Sequence, residues 1–329
     1  MRCVTRKASP TAGLRRQMDR FRALRNDPDA ARALAREILA QEGNAELLLA
    51  ALNALGEDVR FEDHDTLRDL YAWLEQDYRR RDPGAIVRVE VLRLLWHLCS
   101  RDDLDLAEAA SARVEVSLNG RGETLRAAGL ALLGVLDPDA AAHRAAAMLA
   151  AVDADPMSAE PALTAARLLG SLGQTVALVA HVLRPPRAEP AEVTAECLRG
   201  LAGQPIRHIQ PVLDAYAGAE DDVVLLGLAD LVVSLEASEA VHAAVRGMLA
   251  GAATPEAYEF LVTAIVASRR VDLVAVLIET LSREVLLPRL QAARRALELA
   301  PRTTGVLDAI EALDVRLGVS RLSPDRARE

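Results

Sequence analysis

Apolar residues recur along this chain at three- and four-residue spacing, in segments of helix length separated by short polar breaks. Leu67, Leu70, Tyr71, Leu74 and Tyr78 trace one helical face, as do Leu14, Met18, Phe21 and Leu24. The breaks are NDPD at 26–29, QEGN at 41–44, RDPG at 81–84, DPD at 137–139, DADP at 153–156 and RPPRAEP at 184–190. Each carries an Asp, Asn or Pro suited to capping or starting a helix. No segment alternates with the two-residue period of a half-buried strand, so the pattern predicts an all-α protein.

Alternate helices end in a similar apolar phrase. The phrases close at Leu55, Leu98, Leu136, Leu172, Leu201, Leu235, Ser268 and Ala300, at intervals of 29 to 43 residues. Two helices per interval is the signature of stacked helical pairs. Small residues recur inside the second helix of each pair, as at Ala127, Ala128 and Gly134 or Ala165, Ala166 and Gly170, and let neighbouring helices approach closely.

Composition sharpens this picture. The chain has 329 residues, including 62 Ala and 53 Leu, and only 3% aromatic residues. Nine rings are few for two compact cores, whereas Ala and Leu suit many closely packed helices. The longest apolar run, Val223–Leu235, holds thirteen residues with Gly227, Asp230 and Ser234 among them, short of the roughly 18–20 needed to cross a bilayer. No secretory signal is read in MRCVTRKASP. Cys3, Cys99 and Cys197 are far apart and form no metal or disulfide spacing, so a cytoplasmic protein without cofactor or metal is expected. Of the 39 basic residues all but Lys7 are arginine, which the codon usage of a GC-rich genome explains first, selection against lysine conjugation being the alternative.

Charge divides the chain. Residues 1–25 carry a net +7 and the remainder −16. The first dozen residues read as disordered, and the arginines Arg15, Arg16, Arg20 and Arg22 surround the apolar face that starts at Leu14. Residues 1–25 are therefore expected to be a basic arm or a helix capping the first repeat, 26–318 the helical array and 319–329 a disordered tail.

The phrases LRAAGLALLGVL at 125–136, LTAARLLGSLG at 163–173 and VTAECLRGLAG at 193–203 resemble the second-helix phrase of HEAT repeats. The DPDAA runs at 27–31 and 137–141, and Pro211, are similar to features of that family's first helices. The resemblance spans about residues 27–300 and is strongest over 120–205. It implies a right-handed α-solenoid of about eight antiparallel helix pairs, with the second helices lining a concave groove.

Candidate chemistry is sparse. Glu62, Asp63 and Asp65 surround His64, a set that could hold a metal but reads as a solvated cap, with Asp65 at the N-cap. Five of the nine rings, Phe61, Tyr71, Trp73, Tyr78 and Trp96, cluster and read as core, except Trp73, which falls off the apolar face and is the exposed candidate. No nucleophile elbow, phosphate loop or paired-histidine motif occurs, so no enzyme is expected. Five residues before each closing position stand Ala50, Arg93, Ala131, Arg167, Glu196, Asp230, Thr263 and Arg295. Six of these eight are polar, and the resemblance places Arg93, Arg167, Glu196, Asp230, Thr263 and Arg295 in the groove of a scaffold for another protein. Some DNA glycosylases that remove alkylated purines are HEAT-like too, but their concave face must be basic, and this stripe is mixed in a body of −16. A regulatory subunit or a lyase-like chaperone is a third reading, resting on the family alone.

Overall fold

The computed structural model describes residues 10–24, 27–41, 43–115, 122–151, 153–185 and 189–318. Cys3, Lys7, Arg25 and the tail expected at 319–329 lie outside the described residues. Among those described there are nineteen α-helices and three single-turn 3-10 segments, and no strand ladder is formed. The all-α expectation holds.

The chain divides into two compact units, residues 1–148 with 160–168, and residues 149–159 with 169–329. The first contains α1 (Pro10–Ala23), α2 (Pro28–Leu39), α3 (Ala45–Leu55), α4 (His64–Gln76), α5 (Tyr78–Arg81), α6 (Ile86–Leu98), α7 (Leu104–Ala112) and α8 (Glu123–Leu136), with most of α9 (Pro138–Ala151) and of α10 (Ala162–Ser171). The second contains α11 (Thr175–Val182), α12 (Ala191–Arg199), α13 (Ile206–Ala215), α14 (Asp222–Ser234), α15 (Glu239–Gly251), α16 (Pro255–Ala267), α17 (Val271–Leu281), α18 (Leu287–Leu297) and α19 (Thr304–Leu317).

The predicted breaks become caps. Asp27 accepts from the Ala30 N–H at 3.1 Å with Pro28 in the first turn, Asn44 from the Glu46 N–H at 2.7 Å, and Asp137 from the Ala140 N–H at 3.0 Å. Such side chains satisfy donors that the first helical turn leaves open. The helix expected from Leu14 starts earlier, at Pro10, because proline serves a first turn that needs no N–H. It packs against α3, with Met18, Phe21 and Leu24 half-buried and Arg15, Arg16, Arg20 and Arg22 exposed. Pro211 sits inside α13.

In the second unit α12, α14, α16 and α18 pack each on the next, and α11, α13, α15, α17 and α19 form a second such series. In the first unit α3, α6 and α8 pack in succession. By position in the sequence, the phrases expected as second helices fall on α3, α6, α8, α10, α12, α14, α16 and α18. Close helix approach needs glycine: a Cβ on Gly227 of α14 would run into the carbonyl oxygen of Ala195 on α12, and one on Gly129 of α8 would lie 2.5 Å from the Ser111 nitrogen of α7.

Arginines tie neighbouring helices in the second unit. Arg184 donates to the Leu149 carbonyl at 2.9 Å, Arg289 to those of Leu249 (3.2 Å) and Ala252, and Arg316 to those of Leu281 (2.6 Å) and Glu284. Arg270 likewise reaches the Leu235 carbonyl. Each guanidinium satisfies acceptors at or just beyond a helix C-terminus, where the helix dipole favours positive charge.

Candidate functional site

The polar stripe is solvent-facing along successive helices. In the second unit Glu196 on α12 and Asp230 on α14 are half-buried, and Thr263 on α16 and Arg295 on α18 are exposed. In the first unit Arg93 on α6 and Arg167 on α10 are exposed, while Ala50 on α3 and Ala131 on α8 are half-buried.

Ion pairs stitch the stripe from helix to helix. Arg199 donates to Glu196 at 2.6 Å and across to Asp230 at 2.7 Å, and its pKa is raised chiefly by the bond to Asp230. Arg295 reaches Glu259 on α16 at 2.8 Å, and the Thr263 hydroxyl donates to the Glu259 carbonyl at 2.7 Å. Arg93 pairs with Glu90 on its own helix at 2.6 Å. These basic groups therefore meet carboxylates of their own surface.

Two rings beside the stripe escaped the sequence reading. Phe260, adjacent to Glu259 on α16, is 46% exposed, and Trp96, three residues beyond Arg93 on α6, is 42% exposed. Trp96 was expected in the core because its neighbours Leu94, Leu95 and Leu98 are apolar. A lone ring inside a helical phrase is told from core by its exact angular position, and Trp96 lies on the Arg93 side. Phe61, also expected in the core, is 68% exposed and stacks on His64.

Trp73 departs from its expectation as well. It is half-buried on α4, the Arg81 guanidinium covers its ring at 4.3 Å, and its Nε1 is buried without a hydrogen-bond partner among the described residues. Arg81 comes from the short α5, which folds back and donates to the Trp73 carbonyl. A cleft of about 300 Å³ bordered by Leu39, Thr66, Asp69 and Leu70 adjoins the ring.

The acidic loop is not a solvated cap. Asp63, 1% exposed, accepts from Arg32 and from Arg36 at 2.6 Å, both on α2, and from the Arg60 N–H at 2.9 Å. His64 is buried, with Nε2 3.0 Å from Asp103, which also binds Arg68 at 2.7 Å. Asp63 holds the N-cap position of α4, and Asp65, placed there by the sequence reading, stands exposed in the first turn. Among the described residues no cluster of His, Cys, Asp and Glu is placed to hold a metal ion.

A second buried network centres on Arg88. Fully buried on α6, it grips Glu115 through both terminal nitrogens at 2.6 and 2.7 Å, Glu75 at 2.7 Å and Asp82 at 3.2 Å. Asp82 also accepts from the Val87 and Arg88 N–H groups, capping α6, and Arg113 adds a second cation on Glu115. Two guanidiniums and three carboxylates share this cluster, which secures two loops onto a helix.

No family model, curated protein or solved structure matches this chain.

Proposed function

We propose that the chain is a HEAT-like right-handed α-solenoid of about eight helix pairs that serves, without chemistry of its own, as a cytoplasmic adaptor binding another protein along its second helices. The observation that carries this reading is the α12–α18 row, where charges are already paired, Arg199 with Asp230 and Arg295 with Glu259, with the exposed ring of Phe260 next to Glu259 in the chain. A ring amid a rim of mixed charge is the composition of a protein-binding surface. A polyanion would need unneutralised cations in a row to release counterions, and here carboxylates occupy them. Repeat arrays commonly bind along such extended faces.

The test is site-specific photocrosslinking in the native cell. A photoreactive phenylalanine at Phe260 should yield an adduct of one defined mass, and the same probe at exposed Ala243 on α15 should yield none. Charge reversal of both Asp230 and Arg295 should weaken recovery of that partner about tenfold or more, as loss of several interface contacts implies. Equal adducts at both positions, or none at Phe260, would reject the row as the binding face.

A further inference from the structure

Within the second unit, a cavity of about 380 Å³ opens where α15 and α17 end and α16 and α18 begin. None of its lining residues belongs to the polar stripe, and the inference stands independently of the adaptor reading. Its walls include Arg246, Tyr258, Glu279, Arg283, Glu284 and Arg289, contributed by four helices and the turn after α17. The volume falls in the range of small-ligand sites.

The donors of this cavity exceed its acceptors. Arg289 is committed to the protein: it lies over the Tyr258 ring at 4.8 Å and donates to Glu284 at 3.2 Å and to the Leu249 and Ala252 carbonyls, offsetting the negative end of α15. Glu284 is committed too, accepting from the Val285 and Leu286 N–H groups at 2.8 and 2.9 Å. Arg246 is shared between Glu239 and Glu279, the latter at 3.6 Å.

Two donors are left over. The Arg283 guanidinium makes no ion pair or side-chain hydrogen bond among the described residues. Tyr258 is 1% exposed, yet its hydroxyl likewise has no partner among them. Burial pushes that phenol up to about 12, so it keeps its proton as a donor. The hydroxyl oxygen is not itself sealed from solvent, so it is open to an acceptor supplied within the cavity.

Arg246, Tyr258 and Arg283 border the cavity from α15, α16 and the turn after α17, three separate elements. One guanidinium suffices for a planar carboxylate, whereas donors converging from three elements match the three terminal oxygens of a phosphate monoester. We propose that this cavity binds the phosphate group of a phosphorylated ligand. Arg283 and the Tyr258 hydroxyl donate to it directly, Arg246 turns from Glu279 to share it, and Arg289 fixes the Tyr258 ring beneath.

Calorimetric titration of the full chain with inorganic phosphate tests the site, beside Arg283→Gln and Tyr258→Phe variants. Saturable one-to-one binding is expected, weakened about tenfold by each substitution, as removal of a charge-assisted or buried hydrogen bond implies. Neither variant should lower the thermal midpoint, because neither lost group bonds to the chain. Tighter binding of glycerol phosphate than of a phosphoserine peptide would identify a small metabolite as the source of the group, and the reverse order a modified protein. Absence of saturable binding overturns the proposal. So does binding that survives Tyr258→Phe, which would report general attraction to surface arginine. Photocrosslinking at Phe260 is indifferent to both variants, so the two readings fail separately.

Discussion

At the scale of the residue, arginine rather than the apolar side chain is the informative one. Arg88 stands in IVRVEVLRLL as one of two arginines five positions apart; Arg93 is exposed and Arg88 fully buried. Removing a partner from a buried ion network leaves uncompensated charge, so Arg88→Met should cost about 3–5 kcal/mol in urea denaturation. Arg88→Lys should recover only part of that, since an ammonium cannot span both Glu115 oxygens while reaching Asp82. Acid should act at the same place. Burial by itself would raise the Glu115 pKa, but the hydrogen bonds and charges of Arg88 and Arg113 hold it below its ordinary 4.5. A depressed carboxylate contributes stability that is complete above the unfolded value and is lost as pH falls through the folded one. The chain should therefore lose thermal stability progressively below about pH 4.5, and Glu115→Gln should flatten that part of the profile. An unchanged slope would remove Glu115 from the account. His181 adds to acid sensitivity at higher pH: burial chiefly lowers its pKa from 6.5, Glu189 opposing and Arg184 assisting, so its share is present above 6.5 and fades below.

Elements were the best-read level. Phrases closing at Leu55, Leu98 and Leu136 end where α3, α6 and α8 end, and the other five close one to three residues beyond their helices. The reason is local: 3.6-residue periodicity and Asp, Asn or Pro caps act within a turn or two. Glycines inside the apolar phrases mark close approaches, but which of them bears the contact depends on the neighbouring helix. Gly227→Ala should cost about 1–3 kcal/mol, the usual range for overpacking, because its Cβ would enter the Ala195 backbone. Gly305→Ala, in the first turn of α19 with nothing within 4 Å, should be neutral or stabilising by up to about 1 kcal/mol. Thermal midpoints of the pair make the comparison directly, and equal losses would show that helix propensity rather than contact decides both.

At the scale of the whole molecule, stability follows from neighbours touching neighbours. Within the second unit α14 and α16 have packed helices on both sides in their series, whereas α19 ends its own. Arrays of this kind open from their ends. Hydrogen exchange should accordingly be slowest in α14 and α16 and fastest in α19. Arg316→Ala, which frees the Leu281 and Glu284 carbonyls, should speed exchange in α19 and leave α12 unchanged. Uniform rates across the unit would indicate all-or-none opening instead. The arginine excess noted in the composition has a use here, since carbonyl pairs at or beyond helix ends suit a planar fork better than a lysine ammonium.

By itself the sequence determined the helical class and where the helices carrying the apolar phrases end, because each follows from periodicity within one helix. Tertiary structure decided which charges are buried. Asp63 meets Arg32 across 31 residues, Arg88 meets Glu115 across 27, and His64 meets Asp103 across 39. Tertiary structure also covered Trp73, exposed Trp96 and gathered Arg246, Tyr258 and Arg283 around one cavity. Those outcomes depend on the rotation and spacing of adjacent helices, which side-chain volumes in the shared core set jointly.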